Sequence, residues 1–401
     1  SAIDFVEGIR RRSALEMRPW ILTSRRDPYE ALFALLAAQH RDPEALVIAE
    51  KLHARTWLDA LVRAADPRAR PLLNTASSAA EPLSTDELFA ATRDREALIF
   101  VRARRALWRI HLDGARVVEL AQVPGDAEQL LAAWDPDEAV LAERLAALLL
   151  PAGLSASDRP LYIVANDRLA TLPFAALRRA GRYLIDDRPV VRLPGLAALR
   201  CKSGQASAAG PAALFADSLA DRPLPYARAE VVHARFITGG RALVGGDVSV
   251  AAVVDAGRAP LWHLSVHAVV DKTGGALELA DGKLTGADIV ERGIAPRVAV
   301  LAGCATGASE DAEGWGALPS ALLAGGTRTV VATLRPVQDA DAARLMAAFY
   351  ALRGDLHPAT ALAAAQRALA HQQGSAAPPH MWAWFAAWGA AEPTDCDDRR
   401  P

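Results

Sequence analysis

Leu261-Trp-His-Leu-Ser-Val-His267 and Arg297-Val-Ala-Val-Leu-Ala-Gly-Cys304 are two short apolar runs, separated by a segment that carries Gly274-Gly275 and Asp281-Gly282. Each run is rich in Val and Leu and too short for a helix, so each reads as a strand buried on both faces. A short helix is expected between them, near Leu284–Arg292. A strand, a crossover and a second strand over this length predict two parallel neighbours. Their carboxyl ends then lie on one edge of the sheet, where open α/β sheets place their sites. His267 ends the first run and Cys304 the second, so an imidazole and a thiol are expected to face each other across a crevice. That pairing is the minimum for nucleophilic catalysis by a thiol. Free cysteine also serves as a small buried hydrophobe, and the residues alone leave both readings open.

Outward from this centre the chain alternates strands and helices. Towards the N-terminus, the strand Ala212–Ala216, a helix over Pro225–Phe236 and a helix over Val248–Ala256 precede the His267 strand. Beyond Cys304 the pattern predicts a helix over Ala317–Ala324, a strand over Thr329–Leu334 and amphipathic helices over Ala340–Leu352 and His357–His371. Trp382, Trp384, Phe385 and Trp388 read as a terminal aromatic strand belonging to the core. Further upstream, strands are expected over Glu96–Arg102, Ala106–Leu112 and Arg116–Leu120, with a turn at Asp113-Gly114. A helix over Pro136–Leu150 and a buried strand over Leu161–Ala165 follow. The first 70 residues read as helices, two of which start at Asp27-Pro28 and Asp42-Pro43, with proline where the first turn tolerates it. Residues 71–82 and 203–211 read as linkers by composition. Three regions result, at 1–70, 83–202 and 212–392.

Composition narrows the function. The 401 residues carry a net charge of −2, which offers no basic surplus for nucleic acid. The longest apolar runs, such as Leu145–Leu150, are far too short to cross a membrane. The N-terminus has no signal-peptide pattern, and the three cysteines (Cys201, Cys304, Cys396) are odd in number and far apart, so no disulfide framework is expected. These features point to a cytoplasmic protein with free thiols. No glycine-rich phosphate loop precedes a Lys-Ser/Thr pair, so no nucleotide cofactor is expected. His263 and His267 have no further ligand at metal-binding spacing, so no metal is expected. His263 reads as a buried, hydrogen-bonded core residue.

The motifs His-Leu-Ser-Val-His267, Leu-Ala-Gly-Cys-Ala-Thr-Gly307 and the block Gly316–Met346 resemble the CHAT family, caspase-like cysteine peptidases related to separase. The likeness extends through Tyr162–Leu177, with its Leu-Pro-Phe-Ala-Ala-Leu, and through Trp382–Gly389. Two positions depart from the family pattern. Ala268 stands where glycine usually follows the histidine, and Gly-Cys-Ala-Thr-Gly stands where Ala-Cys-Glu-Thr-Gly is commoner.

The resemblance implies an α/β fold: a caspase-like αβα sandwich on a mostly parallel sheet. It implies a degenerate caspase-like half at 83–202, a catalytic half at 212–392, and an N-terminal helical appendage that is either the remnant of tetratricopeptide-like repeats or a packing element. It implies Cys304 as nucleophile, His267 as general base and acid, and the backbone amides of Cys304 and Ala268 as oxyanion donors. The stretch Thr333-Leu-Arg-Pro-Val-Gln-Asp339 resembles the separase segment whose Asp lines a pocket for a basic residue, so Asp339, or failing that Asp341, is expected to bind substrate. Asp339 also suits the N-cap of the helix at Ala340–Leu352. The acidic, glycine-punctuated loop 305–316 is expected to gate the site. The partners implied are a protein substrate, such as a gasdermin-like pore former cut in defence or cell death, and an activating protein met through the N-terminal helices. The rival from another class is a catalytically silent caspase-like scaffold for protein binding.

Overall fold

The computed structural model describes residues 2–12, 25–65, 83–200, 210–271, 274–307, 317–373 and 376–391. In chain order the helices are α1 (Ala2–Arg12), α2 (Asp27–Ala38), α3 (Asp42–Ala65), α4 (Thr85–Thr92), α5 (Ala127–Ala132), α6 (Ala139–Leu149), α7 (Leu184–Asp187), α8 (Pro225–Thr238), α9 (Val250–Asp255), α10 (Gly286–Glu291), α11 (Leu318–Gly325), α12 (Asp339–Arg353) and α13 (Pro358–Ala370). The expected linker at 71–82, most of that at 203–211, Cys201, Cys396 and the loop residues 308–316 lie outside the described residues.

One sheet organises the chain. Its eleven strands run in the order β3 (Val117–Gln122), β2 (Ala106–Asp113), β1 (Glu96–Ala103), β4 (Leu161–Val164), β7 (Val190–Leu193), β16 (Phe385–Gly389), β15 (Thr329–Thr333), β14 (Val298–Leu301), β10 (Leu261–Ser265), β8 (Ala213–Ala216) and β9 (Arg241–Val244). Only the joins β1–β2, β2–β3 and β15–β16 are antiparallel. The sheet is therefore mostly parallel, as expected. Its central strands, Leu-Tyr-Ile-Val, Val-Ala-Val-Leu and Thr-Val-Val-Ala-Thr, are buried throughout, which is why they read as unbroken apolar runs. Because β16 is parallel to β7 but antiparallel to β15, the two halves point their carboxyl ends to opposite edges.

Handedness places the helices. The crossovers from β10 to β14 through α10 and from β14 to β15 through α11 step in one direction, so α10 and α11 share a face. The crossover from β8 to β9 through α8 steps the other way, which puts α8 on the opposite face beside α12. Helix α3 lies against α10 and α11 and also reaches β1 and the turn at Leu196–Leu199. Trp57 of α3 donates from Nε1 to the carbonyl of Ser320 at 3.1 Å. The buried Glu50 accepts from the amides of Leu196 and Ala197. Helix α3 is thus packed into both halves rather than hung from one end. Among the described residues, no helix is long and apolar enough to cross a membrane.

Some boundaries differ from expectation. The segment between the two central strands contains a three-stranded antiparallel sheet, β11 (Ala268–Asp271), β12 (Gly274–Leu279) and β13 (Gly282–Thr285), before α10 begins. The helix expected at Leu284–Arg292 is shortened accordingly: Thr285 caps α10, its hydroxyl accepting from the Asp288 amide. The helix expected from Pro136 starts at Ala139. A further two-stranded ribbon pairs β5 (Arg178–Arg179) with β6 (Arg182–Tyr183).

Candidate active site

The candidate site lies at the carboxyl edge of β8, β10, β14 and β15. Strands β10 and β14 pair in parallel with Leu264 opposite Leu301. The Ala302 amide extends the ladder by donating to Leu264 O at 2.8 Å. Both strands end earlier than the apolar runs, β10 at Ser265 and β14 at Leu301, so His267 and Cys304 lie just beyond the ends of neighbouring parallel strands. The two backbones converge there, since a Cβ built on Gly303 would stand 2.1 Å from the Val266 carbonyl oxygen. Only glycine admits so close an approach. The sequence expectation that the two strand ends meet at one edge is thus realised, with both residues half-buried.

The turn after Cys304 is built by two threonines. Thr306 Oγ1 donates towards Leu301 O at 3.0 Å, and Thr333 Oγ1 donates to Gly303 O at 2.6 Å. The amide of Gly307 donates to Thr333 O at 2.8 Å. Trp388 of β16 packs on this turn so tightly that a Cβ on Gly307 would lie 2.4 Å from its ring. Trp382, Trp384, Phe385 and Trp388 are all buried, as expected, but the strand begins only at Phe385, with Trp382 and Trp384 ahead of it. Ala305 takes φ 54°, a left-handed conformation unusual for alanine. Ala268, by contrast, lies in β11 and is absent from the residues with positive φ. The glycine usual at that position is thus not required by the backbone of this chain. The Cys304 thiol stands 3.5 Å from the Val337 carbonyl.

His267 Nε2 lies 2.7 Å from the backbone carbonyl of Arg222. A carbonyl can only accept, so Nε2 carries the proton and Nδ1 is the basic nitrogen. The loop that supplies this carbonyl, between β8 and α8, is tied to β12. Arg222 pairs with Glu278 at 2.8 Å, Ser218 Oγ donates to Glu278 O at 2.6 Å, and the Glu278 amide donates to His267 O at 2.9 Å. This orienting carbonyl was not legible in the sequence, because a backbone group leaves no residue signature.

Asp339 is the first residue of α12, whose N-cap is Gln338, so it does not cap its own helix. Its carboxylate instead accepts from the Tyr226 amide, at the start of α8, at 2.9 Å. Burial holds this carboxyl above its ordinary range. The Tyr226 amide pulls it back, Asp217 pushes it up further, and the nearby His267 lowers it. Asp339 therefore lies in the neighbourhood of His267. Asp341 sits half-buried in the same first turn. Asp217 was missed by the sequence reading. It follows β8 with φ 53° and is 3% exposed. It accepts from the Leu224 amide at 2.7 Å and pairs with Arg228 at 2.5 Å. The signal for it was an acid directly after an apolar strand, one residue beyond Ala216.

His263 is fully buried, as expected. Its Nδ1 lies 2.8 Å from the Tyr350 hydroxyl. The Glu230 carboxylate stands 2.7 Å from Nε2. Among the described residues, no group of three His, Cys, Asp or Glu side chains could hold a metal ion.

A family model described as the CHAT domain matches residues 136–390. Among solved structures, separase of Saccharomyces cerevisiae in complex with securin aligns over 97% of this chain at 10% identity, with a TM-score of 0.61. A second structure of that complex aligns over 57% of the chain at 12% identity and TM-score 0.39. The Arg specific cysteine proteinase gingipain R aligns over 66% of this chain and 69% of its own, at 12% identity and TM-score 0.40. The chain spans 37% and 15% of the two separase chains. No curated protein matches it in sequence. At such identities the first separase likeness speaks for the fold, a caspase-like αβα sandwich. With the family model covering more than half of its length, the chain belongs to the CHAT domain family.

Proposed function

We propose that this protein is a cysteine endopeptidase working through Cys304 and His267. The observation that supports this reading is the parallel pairing of β10 and β14, whose neighbouring ends are followed by His267 and Cys304 and between which Gly303 packs close to Val266 O. The Arg222 carbonyl completes the arrangement, since a base held by a third group is the general form of an activated nucleophile. His267 Nδ1 takes the thiol proton, the thiolate attacks the scissile carbonyl, and the imidazolium then protonates the leaving amine. The oxyanion that forms is met by the amides of Cys304 and Ala268.

Asp339 binds a basic side chain before the scissile bond, with Asp341 as second candidate. Support comes from its place beside His267 and its half-buried carboxylate, since a guanidinium leaves water only for a charge-assisted partner. The substrate is a protein, and a gasdermin-like effector in a cytoplasmic defence or cell-death pathway is the instance suggested by family. The N-terminal helices would receive an activating protein. That role is supported by α3, which touches both halves and holds α11 through Trp57 and Ser320.

The test is cleavage of a denatured-proteome peptide library by the wild type, Cys304→Ala and His267→Ala, with circular dichroism as the folding control. Loss of all cleavage in both folded variants is expected. A wild type that cuts nothing, and whose Cys304 alkylates no faster than a free thiol, would leave the scaffold reading standing in its place.

A further inference from the structure

Helix α8 buries Ala227, Glu230, Val231 and Ala234 against the sheet. Its outer side is unusual. Tyr226 is 52% exposed, Val232 63% and Phe236 89%. Ala229 lies exposed between them, and Ile237 extends the stripe at 43%. The spacing Tyr226, Ala229, Val232, Phe236 keeps these side chains on one side of the helix. A phenylalanine left almost wholly in water, in line with a valine and a tyrosine, is the mark of a surface that something covers.

Charge identifies the occupant. The one acid of α8, Glu230, is buried. The exposed polar residues on the helix include Arg228, His233 and Arg235, and Arg241 opens the next strand. Arg228 and Arg235 stand seven residues apart and so border the stripe on one side. Arg228 is partly neutralised by the buried Asp217, whereas no described residue pairs with Arg235 or Arg241. A second copy of this chain, laid face to face, would set these cations against their own images, which disfavours self-association. An apolar stripe edged by cations instead fits a helix with its own apolar stripe and acidic flanks.

We propose that the outer face of α8 is the docking surface for an acidic amphipathic helix of a protein partner. The surface runs from Tyr226 to Phe236, about 15 Å at 1.5 Å per residue, which matches roughly three turns of a bound helix. It meets the candidate site at one end, where the Tyr226 amide donates to Asp339. The proposal does not depend on peptidase activity.

The experiment uses the full chain and a displayed library of 16-residue helices. Each carries a randomised apolar stripe in either a glutamate or a lysine frame. Selection is expected to enrich the glutamate frame. Enriched peptides should bind the wild type at least tenfold more tightly than Phe236→Ser or Arg235→Glu, with affinity falling as salt rises. Both variants change exposed side chains, so circular dichroism and the Cys304 alkylation rate should match the wild type. Enrichment of the lysine frame, or equal binding by wild type and Phe236→Ser, would overturn the proposal. So would dimerisation of the free protein that Phe236→Ser abolishes, because the occupant would then be a second copy.

Discussion

Gly303→Ala is the sharpest test of the strand-end geometry. The new Cβ would lie 2.1 Å from Val266 O, whereas real Cβ atoms essentially never come closer than 3.0 Å. The ends of β10 and β14 must therefore part by about 0.9 Å, and neither partner is a flexible side chain. Overpacking of this kind costs roughly 1–3 kcal/mol of stability. A displacement of about 1 Å between reacting groups costs on the order of 100-fold in rate. The assay is the second-order rate of Cys304 alkylation by iodoacetamide, read by mass spectrometry alongside thermal unfolding. The rate should fall at least tenfold, towards that of a free thiol, and peptide turnover about 100-fold. Gly325→Ala is the matched control, since its Cβ would meet the Ile294 carbonyl at 2.6 Å, away from His267 and Cys304. It should lose comparable stability while keeping the thiol reactive. Equal thiol reactivity in the two variants would refute the claim that Gly303 brings His267 and Cys304 together.

Three further outcomes follow from contacts elsewhere in the fold. Asp339→Ala should weaken cleavage after Arg and Lys in a positional library and lower stability by about 1 kcal/mol, through loss of the Tyr226 amide contact; an undiminished basic preference would sink the pocket. Burial raises the Glu50 carboxyl to about 7, against the two amides that lower it. A raised acid leaves stability intact below pH 4.5 and erodes it as pH rises to about 7, by roughly 3 kcal/mol; denaturant titrations should show a shallower fall over this window for Glu50→Gln. Burial, with Arg353, lowers His357 to about 4, so its contribution is present above pH 6.5 and is lost as pH falls towards 4, by up to about 3 kcal/mol. His357→Asn retains an acceptor for the Ala359 amide and should flatten that acid limb; an unchanged slope would count against the assignment.

Much of the architecture was legible in the chain because each local signal agreed with the whole. Strands buried on both faces have no polar side to show, so Val298–Leu301 and Thr329–Thr333 appear as plain apolar runs. The handedness of crossovers then leaves little choice of topology. The hairpin sheet between His267 and Cys304 was hidden because β11 to β13 are short and glycine-punctuated. Gly274-Gly275 and Asp281-Gly282 mark turns without saying what they join.

The site divides along a similar line. From the chain alone it follows that His267 and Cys304 come just after neighbouring parallel strands, since period, length and crossover handedness are properties of the chain; that the strands stop two and three residues short of them does not. Tertiary structure alone decided what surrounds them. The Arg222 carbonyl that sets the His267 tautomer is a backbone atom, brought in by a loop 45 residues away. Asp339 looked suited to cap the helix it begins, yet it meets the first turn of α8, 113 residues away, because both helices start at the same sheet edge. Asp217 carried a readable strand-end position, but its neighbours Leu224 and Arg228 are set by how α8 returns over the sheet. A side chain's partner across space depends on the packing of elements distant in sequence, and no local pattern records it.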